Sequence, residues 1–284
     1  MTRAATVDEL LAGARARLAA APFAPSGREA SLLLGHVLGL DEARLLARGE
    51  RPVAAPAAAR FTALLERRLG GEPVAYLTGT KEFYGRPFAV DARVLVPRPE
   101  TEHLVEAALA LALPPTPRIL DVGTGSGCLA VTLALERPRA RLLATDRSPG
   151  ALVVAAANAR RHGVAGRVRL AAADLFAGVR LDRFDLVVSN PPYVDPAERP
   201  RLSQEVVDFE PESALFAGDG GLAALAGLVE GGAGLRRGAT LLVEIGYGQL
   251  AAVEDLARAS ALHVTAAWPD YSSIPRIVRL DRKA

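Results

Sequence analysis

The sequence predicts an α/β protein, a parallel sheet covered by helices on both faces with a small all-helical domain ahead of it. Three observations carry this expectation. Residues 1–72 show only helical spacing of apolar residues, and from Arg118 onward short strand patterns alternate with helical ones. Two of those strands run directly into unusual loops, Gly123-Thr124-Gly125-Ser126-Gly127 and Asn190-Pro191-Pro192-Tyr193.

The N-terminal elements announce themselves by their starts. Thr6 with Glu9 and Ser26 with Glu29 both fit a capping box, in which a hydroxyl and a carboxylate satisfy the orphan N–H groups of a helix's first turn. Leu10, Leu11 and Leu18 follow the first, and Leu32, Leu33, His36 and Val37 the second. Asp41 can cap a third short helix, and a fourth over 57–69 turns Phe61, Leu64 and Leu65 inward and stops at Gly70-Gly71. Residues 73–100 change to alternating and aromatic residues, and Lys81–Tyr84 and Pro87–Val90 around Gly85-Arg86 predict a β-hairpin connector. A helix over 101–113 ends at Pro114. Strands are then expected at 118–122, 141–145, 168–172, 184–189 and 240–245, with helices between the first three and after the fifth, and a last pair at 263–267 and 274–280. The domain containing them spans residues 101–284.

Composition excludes several classes. At 284 residues one or two domains fit, and although half the residues are hydrophobic, no apolar run approaches the roughly 20 residues of a membrane span. Met1-Thr2-Arg3 leads straight into Thr6-Val7-Asp8-Glu9 without the apolar run of an export signal, so a cytoplasmic location is expected. The single cysteine, Cys128, forbids an internal disulfide and reads as a small buried hydrophobe. His36, His103, His162 and His263 have no ligand spacing, so no metal is expected. A net charge of +2 without a like-charge block gives no sign of a nucleic-acid partner.

Glycines at 123, 125 and 127 immediately after a strand stand at the carboxyl edge of a parallel sheet, where ligands bind. A dinucleotide loop would need a third glycine or alanine at the position of Cys128, so the spacing favours S-adenosylmethionine over NAD. Asp146 stands 19 residues beyond Gly127, where a carboxylate can accept both ribose hydroxyls. Asp174, at the end of the next strand, is placed to meet the adenine amino group. Either aspartate could instead cap the helix that follows. Asp121 is expected to orient the loop.

The Asn190–Tyr193 segment ends the fourth strand. Its two prolines prevent a helix from starting and keep backbone carbonyls free. An amide nitrogen is a poor nucleophile because its lone pair is delocalised, and positioning must do the chemistry. The Asn190 side-chain oxygen and the Pro191 carbonyl can each accept one N–H of a planar NH2 group, with Tyr193 packing on the flat face. An ordinary Asn-Pro turn is the plain alternative.

These motifs resemble the peptide chain release factor glutamine methyltransferases, bacterial enzymes acting on the glutamine of a Gly-Gly-Gln motif in translation termination. The resemblance covers the whole chain and includes Glu72-Pro73-Val74-Ala75-Tyr76-Leu77-Thr78-Gly79, Val96-Pro97-Arg98-Pro99-Glu100-Thr101-Glu102, and Phe209-Glu210-Pro211 with Ala214-Leu215. It implies a Rossmann-like, seven-stranded class I methyltransferase domain, a helical domain that helps bind the release factor, and a β-hairpin connector. It also implies S-adenosylmethionine contacts at Gly123, Thr124, Gly125, Ser126, Gly127, Asp146, Leu175 and Asn190, beside the Asp174 contact read from its place on the sheet edge. Asn190, Pro191, Pro192 and Tyr193 would hold the glutamine. Leu175 stands where relatives often carry an aromatic residue, and the segment with Arg98 and Glu100 is expected either to close over the site or to serve as a helix-entry turn. A monomer is expected. The alternatives are methylation of the exocyclic amine of adenine in nucleic acid, of a glutamine in another protein, or a non-enzymatic scaffold. The adenine reading ranks second, since the helical domain offers only Phe23 and Phe61 as aromatics.

Overall fold

The computed structural model describes residues 3–23 and 25–283; Met1 and Thr2, on which the reading of the N-terminus partly rests, lie outside the described residues. The chain divides into two units, Met1–Thr80 with Leu202–Phe209, and Lys81–Arg201 with Glu210–Ala284.

The first unit is helical: α1 (Val7–Ala19), α2 (Glu29–Leu38), α3 (Glu42–Leu46), α4 (Ala55–Leu69), α5 (Val74–Thr78) and α9 (Gln204–Phe209). The Thr6–Glu9 capping box forms in both directions. The box at Ser26 forms only by half. Glu29 reaches back to the Ser26 N–H at 3.0 Å, but α2 begins at Glu29 itself and has no side-chain cap. The Glu29 carboxylate has a second task, accepting from Arg68 Nε at 2.7 Å, and a side chain held by a guanidinium serves a cap only partially. Asp41 caps α3 as expected, accepting from the Arg44 N–H at 2.7 Å. The alternating reading of 73–79 gives way to α5, which Pro73 opens and Gly79 closes in the left-handed conformation while Leu77 is buried.

Leu11, Leu33, Leu34, Leu45, Phe61 and Leu65 form the core of this unit. Each such side chain contributes about 1.5–3 kcal/mol of transfer free energy on burial. Amid them Arg68 is buried with its guanidinium on Glu29, on Glu205 at 3.0 Å, on the carbonyls of Gly71 and Glu72, and over the Phe23 ring.

The second unit opens with a hairpin of β1 (Thr80–Phe83) and β2 (Arg86–Ala89). Its turn sits at Tyr84-Gly85, both with positive φ, one residue earlier than the sequence implied. Such a two-residue turn matches the right-handed twist of the strands. Next, α6 (Glu102–Ala110) stops three residues short of its expected end. Leu111 is already extended, and the Arg137 guanidinium takes the loose carbonyls of Ala108, Leu109 and Leu111.

The seven strands β3 (Arg118–Val122), β4 (Arg141–Asp146), β5 (Val168–Ala172), β6 (Leu186–Ser189), β7 (Thr240–Glu244), β8 (Leu262–Pro269) and β9 (Pro275–Arg282) lie in the order 5-4-3-6-7-9-8. The first five are parallel, and β9 runs antiparallel to both β7 and β8. Alternation along the strands divides the core. Ile119, Leu186, Val188 and Leu242 face one layer, which includes residues of α6 and α7 (Cys128–Glu136) and Ala159 of α8 (Pro149–Arg161). Leu120, Val187, Leu241 and Val243 face the other, with α12 (Ala223–Gly231) and α13 (Leu250–Ala259). Ahead of α12, which the sequence reading did not anticipate, come the short turns α10 (Glu212–Leu215) and α11 (Gly218–Gly221).

This is the Rossmann-like seven-stranded α/β architecture that the sequence predicts. The chain lays down β3, β4 and β5 outward, then returns to place β6 on the other side of β3. Such a reversal opens a crevice beyond the carboxyl ends of the two central strands. No helix among the described residues is long and apolar enough to cross a membrane.

Arg68→Leu would leave the Glu29 carboxylate buried without its cation, so a loss of roughly 3–5 kcal/mol of unfolding free energy is expected in urea titration. A loss below about 1 kcal/mol would mean that the pair behaves as an exposed one does.

Candidate active site

Because β3 and β6 are neighbours, with Val122 paired to Ser189, the loops that follow them emerge side by side. They open on a cavity of about 420 Å³, within the range of small-molecule sites.

The glycine loop forms its floor. Gly127 has φ of +80°, and a Cβ there would lie 3.1 Å from Ala155 of α8, so glycine lets the helix pack against the loop. At Gly125, φ of +55° again excludes a side chain on conformational grounds, while the space above it is open for a ligand. Gly123, Thr124, Gly125 and Ser126 line the cavity; Gly127 does not, being turned to Ala155.

Asp146 ends β4 and faces the loop. Its Oδ2 accepts from the Gly125 N–H at 2.9 Å and its Oδ1 from the Ser148 N–H at 2.8 Å. It is not the helix cap: Ser148 caps α8 through the Ala151 N–H. Each carboxylate oxygen keeps a further lone pair toward the cavity that Asp146 lines. Asp174 and Leu175 also line it. No helix follows Asp174, and Leu175 holds a left-handed conformation, φ 47°, that presses its side chain toward Gly227 of α12. The neighbouring Phe176 packs on Gly231 and takes no part in the cavity wall.

Asp121 lies fully buried behind the loop and accepts from the Thr124 hydroxyl at 2.6 Å. Burial pushes its carboxyl up to about 7. Its place is the loop's inner face, as expected. Cys128 is buried, with its thiol pushed up to about 12 by burial, so it remains protonated.

Asn190, Pro191 and Pro192 line the cavity opposite. The Asn190 Nδ2 donates to Thr101 Oγ1 at 2.9 Å, which leaves Oδ1 as the free acceptor. Among the described residues no turn or loop N–H is spent on the Pro191 carbonyl. Tyr193 is placed differently. It is half-buried, does not line the cavity, and its hydroxyl donates to Glu244 Oε1 at 3.2 Å. Gln249 holds the backbone here, donating to the Tyr193 carbonyl at 2.9 Å while accepting from the Gly246 N–H.

One side of the cavity is covered by Val94, Pro97 and Arg98. Arg98 donates to Glu210 at 2.6 Å, and Glu210, buried, also accepts from the Val96 N–H. Arg98 therefore does line the site; Glu100 does not.

Sequence reading missed Thr101, Asn158, Glu244 and Gln249. Asn158 bonds both the Ser126 carbonyl and the backbone of Ala89, tying the loop to β2. For Glu244 there was a signal: a lone carboxylate at the carboxyl end of an otherwise apolar strand.

Comparison with known proteins agrees with this geometry. A family model described as PrmC N-terminal domain matches residues 9–79, and one described as Methyltransferase small domain matches residues 101–220. The release factor glutamine methyltransferase of Cereibacter sphaeroides is 45% identical over 271 residues, covering 95% of this chain and 96% of the relative. That of Moorella thermoacetica is 45% identical over 274 residues with the same coverage. Among solved structures, a methyltransferase from Pyrococcus furiosus superposes with a TM-score of 0.54 at 16% identity, covering 78% of this chain and all of that one. The hMettl16 catalytic domain gives 0.55 at 17% identity, covering 80% and 82%. A glycine loop and an Asn-Pro-Pro-Tyr turn on adjacent central strands, with relatives this similar over nearly the whole chain, leave one conclusion: the chain belongs to the release factor glutamine methyltransferase family and is a methyltransferase.

Proposed function

We propose that this enzyme transfers a methyl group from S-adenosylmethionine to the side-chain amide nitrogen of the glutamine in the Gly-Gly-Gln motif of peptide chain release factors. The observation that carries the reading is the orientation of Asn190. Asn190 lines the cavity and its NH2 group is committed to Thr101, so Oδ1 is the amide atom left to accept.

The residues present fit the cofactor. Gly123 and Gly125 leave open space above the backbone where a side chain would intrude, Asp146 presents lone pairs suited to two ribose hydroxyls, and Leu175 gives an apolar wall for the adenine. Asp174 is available to the adenine amino group. When bound, S-adenosylmethionine supplies an electrophilic methyl group on a sulfonium. The protein supplies position. Asn190 Oδ1 and the Pro191 carbonyl each accept one N–H of the glutamine amide, fixing its plane so that one face of the nitrogen is presented toward the cofactor pocket. Pro192 limits the loop's freedom, so the two acceptors hold their spacing. Tyr193 acts from behind, through Glu244 rather than by stacking on the amide. A neutral nitrogen nucleophile needs no base before transfer, and the extra proton leaves to solvent afterwards.

The helical domain, residues 1–72, is assigned to release-factor recognition, residues 73–100 to a connector and residues 101–284 to catalysis. The family models over residues 9–79 and 101–220 support separate N-terminal and catalytic parts, with the first running past the boundary at 72.

Purified protein is expected to label a release factor from radiolabelled S-adenosylmethionine and to leave unlabelled the variant in which the motif's glutamine is replaced by alanine; equal labelling of both would refute the assigned acceptor. Asp146→Ala is expected to weaken cofactor binding by roughly 10–100-fold in calorimetry, the scale of a lost charged hydrogen-bonding group. An unchanged dissociation constant would remove Asp146 from the cofactor site.

A further inference from the structure

We propose that Gln249 is a positioning residue for methyl transfer: by donating from its amide to the Tyr193 carbonyl, it fixes the far end of the Asn190–Tyr193 turn and with it the Pro191 carbonyl that accepts from the substrate amide. The inference rests on the glutamine-methylation reading and deepens it.

The turn is held at its near end by the β3–β6 ladder, where Val122 pairs with Ser189, and by the bond from Asn190 to Thr101. Beyond it, the Val194 N–H donates to the Leu215 carbonyl and the Val194 carbonyl accepts from the Ala217 N–H, each at 3.0 Å. Tyr193 lies between, and its carbonyl meets Gln249. The Gln249 Nε2 donates to that carbonyl at 2.9 Å and stands 3.5 Å from the Gly221 carbonyl, while its Oε1 accepts from the Gly246 N–H at 2.8 Å. All three partners agree on the orientation of the amide: turned over, it would set its oxygen against two carbonyls and its NH2 against an N–H. Two glycines leave room for the contact. A Cβ at Gly221, where φ is +85°, would lie 2.3 Å from the Tyr193 carbonyl oxygen, and one at Gly246 would lie 2.9 Å from Gln249 Oε1.

The prolines carry this anchorage to the site. Each has φ locked near roughly −65°, so the Pro191 carbonyl can turn only through ψ, and that rotation also displaces Tyr193. Holding the Tyr193 carbonyl therefore holds the Pro191 carbonyl at its spacing from Asn190. Without the Gln249 amide the turn keeps only Thr101 at one end and the Val194 bonds at the other, and the carbonyl between them can tilt. A misplacement of about 1 Å in such a group costs on the order of 100-fold in rate. Gln249 does not line the cavity, so its loss leaves the cofactor pocket intact.

The test is single-turnover methylation of a release factor by wild type, Gln249→Met and Gln249→Glu, each checked for folding by thermal unfolding. Gln249→Met keeps the length and loses the hydrogen bonds, and it is expected to be roughly 10–100-fold slower at an unchanged cofactor dissociation constant. Gln249→Glu gives the sharper readout. Its carboxylate can accept from Gly246 but is repelled by the Tyr193 carbonyl, whereas its protonated form offers an O–H to that carbonyl and an oxygen to Gly246, as the glutamine does. The neighbouring carbonyls favour the protonated form, and Asp195, Asp219, Glu244 and Glu254 on the segments that meet here act in the same direction; Arg276 of β9 opposes them but is held by Asp270. The rate of Gln249→Glu relative to wild type is therefore expected to rise several-fold as pH falls from about 8.5 to about 6. A side chain that only filled space would give a ratio independent of pH. A folded Gln249→Met with the wild-type rate, or a Gln249→Glu ratio that stays constant with pH, would overturn the proposal. If wild type itself transfers nothing to the release factor, the underlying assignment of the acceptor falls and this inference with it.

Discussion

Everything at the site depends on the ladder between β3 and β6. The four residue pairs from Ile119–Leu186 to Val122–Ser189 are formed by strands far apart in sequence, and the chain must complete β4 and β5 on one side before it returns to make them. That return puts the glycine loop and the Asn190 turn on adjacent strand ends, separated by one strand spacing. Under the proposed function, a cofactor-binding backbone and an amide acceptor can then share a cavity without either needing a long excursion. Both strands are buried on both faces, by Ile119 and Leu120 in one and Val187 and Val188 in the other, so the register cannot slip without exposing apolar side chains.

Around this ladder the polar groups are arranged in two layers of differing purpose. Asp146, Asn158 and Asp121 all act on the glycine loop: Asp146 through the Gly125 N–H, Asn158 through the Ser126 carbonyl, Asp121 through the Thr124 hydroxyl. They hold a segment with three left-handed glycines, which on its own would be the least ordered part of the unit. On the opposite loop, Thr101 holds the Asn190 side chain and Glu244 the Tyr193 hydroxyl. Asp121 and Glu244 are both carboxyls raised by burial, and each lies behind the loop it serves. Each accepts from one hydroxyl, Asp121 from Thr124 and Glu244 from Tyr193, while Asp121 Oδ1 and Glu244 Oε2 are buried without a partner among the described residues, which disfavours the charged form of both.

The fold was legible where the pattern was local. Capping signals placed α1 and α3, and the alternation of strands and helices from Arg118 placed the sheet. It failed at the half-made box of Ser26, because a guanidinium from another helix competes for Glu29, and at α12, an Ala–Leu run broken by Gly227 and lacking a side-chain cap at its start. The site was legible in its loops but not in their supports. Gly123 to Gly127 and Asn190 to Pro192 are contiguous motifs. Thr101, Glu244 and Asn158 are brought to them by tertiary contacts with sequence separations of 89, 51 and 32 residues. Tyr193 shows the limit most clearly. Its neighbours in sequence put it on the acceptor, whereas the buried carboxylate of Glu244 draws its hydroxyl away from the cavity.

The central claim is that position, not proton abstraction, drives transfer, and that Asn190 Oδ1 supplies half of that position. Single-turnover methylation of a release factor by Asn190→Ala tests it directly. With the acceptor gone, the rate is expected to fall by roughly 100-fold or more while the cofactor dissociation constant changes by less than about threefold. A rate close to wild type, with cofactor binding intact, would contradict the account.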